Sequence, residues 1–276
     1  MSQIGYQREK AARDHGLKFY PSSHRYKLDG AWVTGVTTLL GVLDKPAIPK
    51  WAAKSVAEYV ANNREGVEHL YGMGQGPMVQ ALKDVPWQQR DEAANRGTEV
   101  HDFAERIARG EEVDVPDLLV GHVESCLAFL DEWDIKPVLI EQCVGSRQYK
   151  YAGKLDLVAD HNQGPRAIFD YKTSKSGIYA NTAFQLVAYG MAEFYGENGE
   201  ETPMSEVGIE ASYGVHIRAD GYDVLPLKYG EQVYDEFLCI ARAYHINKRA
   251  NGDWKVPGSG YVGLVHEIND HMGETA

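Results

Sequence analysis

Gly153-Lys154-Leu155-Asp156-Leu157-Val158-Ala159-Asp160 and Ala167-Ile168-Phe169-Asp170-Tyr171-Lys172-Thr173 are two β-favouring runs. Between them lies His161-Asn162-Gln163-Gly164-Pro165, a cluster of turn formers. Residues on a strand alternate faces, so Asp170 and Lys172 share one face of the second run. Pairing of the two runs brings Asp156 toward Asp170. Two carboxylates at that distance repel and raise one pKa unless a cation lies between them. Oxygen donors with room for water favour Mg²⁺ or Mn²⁺. Lys172 beside such an ion would orient or activate an attacking water, or counter charge on a phosphate. Taken alone, Asp170 and Lys172 also read as an ordinary ion pair on a solvated strand face, and Asp156 as a strand-end residue. The apolar Ala167-Ile168-Phe169 before Asp170 tilts the balance, because charges in buried strands need a partner or a metal.

Outward from this pair, Val138 to Gly145 reads as the preceding strand and Tyr179 to Tyr195 as an amphipathic helix. Gln185 and Tyr189 lie on that helix at i, i+4 and share a face, which fits either contact with the strand ends or partial burial against a sheet. Val207 to Arg218 and Asp223 to Leu227 read as strands, and Glu231 to Arg249 as a last helix. Upstream, Asp29-Gly30 between Arg25–Leu28 and Ala31–Thr34 is a two-residue hairpin signal. Helices are expected over Val36–Leu43, Ile48–Asn62, Trp87–Arg109 and Pro116–Trp133, with a glycine-rich loop over Glu65–Pro77. This order points to a mixed β-sheet flanked by helices, in the α/β to α+β class. Residues 1–90 are expected as a hairpin and helical extension packed on a core of residues 91–276.

The chain has 276 residues, enough to bury a core without disulfides. Cys126, Cys143 and Cys239 lie far apart and form neither a disulfide framework nor a CxxC metal pair. There is no apolar run of membrane-spanning length and no signal-peptide pattern in the first thirty residues, so the expectation is a reduced, cytoplasmic protein off the membrane. The net charge of −12 argues against non-specific nucleic-acid binding without excluding a local basic site. Between Gly145 and Ser176 the balance reverses: Arg147, Lys150, Lys154, Arg166, Lys172 and Lys175 face only Asp156, Asp160 and Asp170.

Gly153-x-x-Asp156, Asp170-x-Lys172 and Gln185-x-x-x-Tyr189, with an upstream Arg96-Gly97-Thr98-Glu99-Val100-His101, together resemble the PD-(D/E)xK nuclease superfamily, in particular its RecB-like exonuclease branch with phage-encoded members. The combined pattern covers about a third of the chain, Arg96 to Tyr189. Thr37-Thr38-Leu39-Leu40 and Trp51 resemble the N-terminal helical region of phage members. The resemblance implies a restriction-endonuclease-like core, a helical N-terminal extension, and metal-dependent exonucleolytic hydrolysis of DNA in phage recombination, replication or repair. By it, His101, Asp156, Asp170 and the Tyr171 backbone carbonyl would ligate Mg²⁺ or Mn²⁺, and Lys172 would be catalytic. Gln185, Tyr189, Lys154 and Lys175 would position DNA or the site, and Glu141 matches an acidic position on the strand before. Gly97 would let its helix approach the sheet or a phosphate closely.

Some relatives hold an iron–sulfur cluster through four cysteines; three isolated ones supply none, so no cluster is expected. There is no GxxxxGK[ST] loop, so unwinding would fall to a partner helicase, and a single-strand annealing or binding protein is another expected partner. An oligomer is compatible with the sequence, and phage encoding would place the protein in the host cytoplasm. Trp51, Tyr59 and Tyr71 suit either core packing or stacking on single-stranded bases. Two other readings remain: a nuclease-derived DNA-binding or regulatory module without turnover, and an endonuclease on the same fold.

Overall fold

The computed structural model describes residues 15–174 and 177–251. It is a mixed α/β architecture in which two β-sheets are flanked by helices. The first sheet has the order β1 (Leu17–Tyr20), β2 (Arg25–Leu28), β3 (Ala31–Gly35), β6 (Tyr151–Lys154), β5 (Cys143–Ser146), β9 (Phe194–Tyr195), β10 (Thr202–Pro203). Asp29 and Gly30 join β2 to β3 with φ of 48° and 80°, the left-handed pair that a tight hairpin requires. The sheet curls on itself: the Asn198 amide donates to the Leu17 carbonyl at 2.8 Å. Leu17, Tyr26, Leu28, Cys143, Ala152 and Phe194 fill its inside.

The second sheet runs β12 (Gly221–Leu227), β11 (Ala211–Arg218), β8 (Gly164–Lys172), β7 (Leu157–His161), β4 (Lys136–Ile140). Only β8 and β11 pair in parallel. The alternation of β8 supplies two cores at once. Phe169 and Tyr171 pack with Val100, Phe103, Val123 and Phe129 of the helices on one side, whereas Ile168 packs with Leu186, Val187 and Phe237 on the other. A strand buried on both faces reads as a continuous apolar run, which is what Ala167-Ile168-Phe169 is.

The helices are α1 (Val36–Leu39), α2 (Ala47–Asn62), α3 (Arg64–Met73), α4 (Gln75–Ala108), α5 (Val120–Glu132), α6 (Asn181–Gly190) and α7 (Glu231–Asn251). The loop expected over Glu65–Pro77 is instead α3 and the start of α4. Asn63 caps α3 by accepting from the Gly66 amide at 3.0 Å, and a β-carbon at Gly66 would meet that side chain at 2.5 Å. Gly74, at φ 92°, then separates α3 from α4. Pro86 lies inside α4 and brings no amide hydrogen for the Leu82 carbonyl. The division expected after residue 90 falls within this helix, and β3 pairs with β6 across it, so the two parts share a helix and a sheet. Of Trp51, Tyr59 and Tyr71, none is buried, and Tyr71 is 70% exposed. Among the described residues no helix is long and apolar enough to cross a membrane.

Two further differences from the sequence-based expectations place the site. The single strand expected over Val138–Gly145 is two strands, β4 and β5, in different sheets, with Glu141 at φ 52° between them. The run Gly153–Asp160 divides in the same way, into β6 and β7, around Leu155 and Asp156. Val138–Ile140 and Cys143-Val144 are apolar, as are Leu155 and Leu157–Ala159, so the hydrophobic pattern does not say which sheet each piece enters. The two crossings are bonded side by side: the Glu141 amide donates to the Asp156 carbonyl and the Leu155 amide to the Gln142 carbonyl, each at 2.9 Å. The helix expected over Tyr179–Tyr195 is the shorter α6, and Phe194–Tyr195 returns as strand β9.

Candidate metal centre

Glu141 and Asp156 stand where the chain twice steps from one sheet to the other, and α4 brings His101 to the same point. One donor atom from each of His101, Glu141 and Asp156 lies within 4.8 Å of the others. The Asp156 Oδ2 accepts from the Tyr171 amide at 2.8 Å and lies 3.5 Å from His101 Nδ1. Gly97, one turn before His101, allows the approach: a β-carbon there would lie 3.1 Å from Thr173 Oγ1 at the end of β8. The His101 ring meets the Tyr171 ring edge-on at 5.9 Å.

Burial raises the pKa of Asp156; His101 opposes the rise and Asp170 adds to it. Burial likewise raises that of Glu141, reinforced by the charge of Asp156 and opposed by Lys154, whose Nζ is 2.5 Å from Glu141 Oε2. Two partly buried carboxyls that resist ionising beside one imidazole suit a divalent cation, whose charge would oppose both shifts. Two carboxylate oxygens and a nitrogen are a donor set that could hold a divalent cation.

Asp170 is 1% exposed and lies beside this trio without belonging to it. Its Oδ1 accepts from Gln185 Nε2 at 2.7 Å and its Oδ2 pairs with Lys172, as their shared strand face requires. Burial lowers the Lys172 pKa, but the charges of Asp170 and Asp156 outweigh it and the net shift is upward, so the ammonium stays charged.

Tyr189 is buried and has no exposed face for a nucleic acid. Its ring covers Gly153, where a β-carbon would fall 2.2 Å from Cε1, and it stands one turn after Gln185 on α6. Gln185, Asp170 and Lys172 form one chain of contacts from α6 to the end of β8, with Tyr189 one helical turn from its first member. The glycine of Gly153-x-x-Asp156 is explained by the tyrosine of Gln185-x-x-x-Tyr189. The Tyr171 side chain turns away into the α4–α5 core, as alternation predicts, while its amide holds Asp156. Lys154 is engaged by Glu141, and Lys175 lies outside the described residues.

One residue escaped the sequence reading. His216 on β11 is in register with Lys172 and is 8% exposed. Its Nε2 is 2.7 Å from the Ser174 carbonyl, just past the end of β8, and its Nδ1 is 3.3 Å from Arg218 Nη1. A carbonyl only accepts, so Nε2 carries the hydrogen and Nδ1 accepts from Arg218. The available signal was a lone histidine between Val215 and Ile217 in an apolar strand.

No protein-family model matches the chain, and no curated protein matches it.

Proposed function

We propose that the protein is a divalent-metal-dependent deoxyribonuclease that works as an exonuclease on DNA. The observation that carries this reading is the convergence of His101, Glu141 and Asp156 within 4.8 Å, next to the Asp170–Lys172 pair. His101, Glu141 and Asp156 would hold the ion, with Asp170 adjacent. When bound, Mg²⁺ or Mn²⁺ supplies Lewis-acid polarisation of a phosphate and a lowered pKa for water.

The chain's own groups divide the remaining work. The Tyr171 amide and His101 fix the Asp156 carboxylate, and Lys154 fixes Glu141, so the donors are arranged before substrate arrives. Lys172, kept protonated by Asp170, presents a cation to the charge that builds on the phosphate oxygens. Gln185 holds Asp170 so that Lys172 stays at the end of β8. Exonuclease rather than endonuclease action rests on the combination of His101 with Gln185 and Tyr189, the residues that resemble the RecB-like branch. The phage setting and a helicase or single-strand annealing partner belong to the same proposal.

The test is digestion of 5′- and 3′-labelled linear DNA, beside covalently closed circles, with Mg²⁺, Mn²⁺ or EDTA. Metal-dependent loss of linear DNA from an end, with circles largely spared, is the expected result. Rapid nicking of closed circles would replace it with the endonuclease reading, and DNA binding with no cleavage under any metal would replace it with the silent module.

A further inference from the structure

The outer face of β1–β3 departs from the acidic character of the chain. Alternation turns Leu17, Phe19, Tyr26 and Leu28 inward and leaves Lys18, Tyr20, Arg25, Lys27 and Trp32 facing outward. Trp32 is 49% exposed and Tyr20 37%. Their rings lie 5.3 Å apart, and Trp32 carries the Arg25 guanidinium at 3.9 Å and the Lys27 ammonium at 4.9 Å. Two large aromatic side chains and the cations of Arg25 and Lys27 thus occupy one small face, in a chain of net charge −12.

We propose that this face, centred on Trp32 and Tyr20, is a docking platform for single-stranded nucleic acid. The inference rests on the nuclease reading and deepens it by naming the form of the substrate. Aromatic faces take successive bases by stacking, and interleaved cations track the phosphates. A guanidinium stacked on an indole still presents its edge N–H groups, which match a phosphate. Within a duplex the bases are already stacked on one another and have no face to offer Trp32.

The β1–β2 hairpin carries the platform on its outer face and approaches the partner of Glu141 from its inner one. Phe19, next to Tyr20, turns its ring to within 5.9 Å of Lys154 Nζ, and Lys154 is the partner of Glu141. A strand held on Trp32 and Tyr20 would therefore lie on the outer side of the hairpin whose inner side faces Lys154.

The experiment measures binding of fluorescent oligo-dT and of a blunt duplex to the full-length protein in EDTA, where metal-dependent cleavage cannot occur. Trp32→Ala should weaken oligo-dT binding by about 5- to 100-fold, the effect of one lost base–aromatic stack, and leave duplex binding within about twofold. Trp32→Tyr, which keeps a ring, should recover most of the loss. Arg25→Gln should make the salt dependence of oligo-dT binding shallower by about 0.7 in log–log slope. Unchanged oligo-dT binding in both Trp32→Ala and Arg25→Gln overturns the proposal. So does equal weakening of oligo-dT and duplex, or displacement of oligo-dT by polyglutamate at equal charge, which would mark an acidic polypeptide as the occupant. Wild-type cleavage in Mn²⁺ is scored separately. A cleaving protein indifferent to Trp32 loses the platform and keeps the nuclease reading; a non-cleaving one that needs Trp32 for oligo-dT does the reverse.

Discussion

The ring of Tyr189 packs on Gly153 at a distance that admits hydrogen and no larger substituent: a β-carbon would sit 2.2 Å from Cε1. The glycine on β6 and the tyrosine on α6 are thus two halves of one contact. Its effect reaches the charged residues, because Tyr189 stands one turn after Gln185 on the same helix and Gln185 bonds Asp170. Gly153→Ala should destabilise the protein by about 1–3 kcal/mol, the usual effect of overpacking. It should also lower kcat by more than the unfolded fraction explains. Thermal melts run beside single-turnover rates at a temperature where the variant is folded would separate the two effects; a normal rate there would show that Tyr189 acts only in packing.

Lys172→Ala should reduce kcat by at least about 10²-fold, the scale of one lost electrostatic stabiliser, while Mn²⁺ affinity stays within a few-fold. It should also lower stability, since Asp170 is left buried without its counter-charge. About 3 kcal/mol is an upper figure, because Lys172 is partly solvated. Asp170→Asn in the Lys172→Ala background should restore the melting temperature and leave the rate low. Equal cleavage by wild type and Lys172→Ala would show that the assigned site is wrong.

Calorimetric titration should give tighter binding of Mn²⁺ than Mg²⁺, because an imidazole is among the donors. His101→Ala should weaken Mn²⁺ binding and narrow that preference. Glu141→Gln should weaken both ions. Saturating Mn²⁺ at about 100 times its Kd should raise stability by about 2.7 kcal/mol, visible as a concentration-dependent melting temperature. A Glu141→Gln protein with unaltered titrations would remove Glu141 from the centre.

The raised pKa values of Asp156 and Glu141 set the direction of a pH effect. A carboxyl whose folded pKa exceeds its unfolded one favours folding while protonated, and that contribution is lost as pH rises from the unfolded through the folded value. The metal-free protein should therefore lose stability as pH climbs above the normal carboxylate range, and Mn²⁺ should offset more of the loss the higher the pH. Asp156→Asn keeps an acceptor for the Tyr171 amide and has no charge to desolvate. It should melt a few degrees higher than the metal-free wild type at neutral pH, the shift about 1 kcal/mol produces in a domain this size, while losing activity. A lower melting temperature would show that the His101 contact outweighs the desolvation.

Local chemistry was the legible part of this fold. Asp29-Gly30 announced its hairpin because only a left-handed pair closes that turn, and Asp170 and Lys172 announced a shared face because strand alternation is rigid. Spacing put Gln185 and Tyr189 on one side of a helix. The sheet exchange at Glu141 and Asp156 was hidden, since residues on either side are apolar whichever sheet they enter. Glycine content misled over residues 65–77, where Asn63 caps a helix that propensity disfavours. Tyr189 as a cover for Gly153, and the pairing of His216 with the Ser174 carbonyl, depend on tertiary neighbours that no window of sequence contains.

Because the chain changes sheets at Glu141 and again at Asp156, these two candidate donors lie on a seam between the two sheets, with His101 reaching them from a helix packed against the second sheet. A cation held there would act as a rivet, and its grip would report the angle at which the sheets meet. Substitutions inside the curled sheet, at Leu28 or Phe194 for instance, touch none of the donors. They would nonetheless surface first as altered metal affinity, because the protein's packing and its chemistry are joined at that one line.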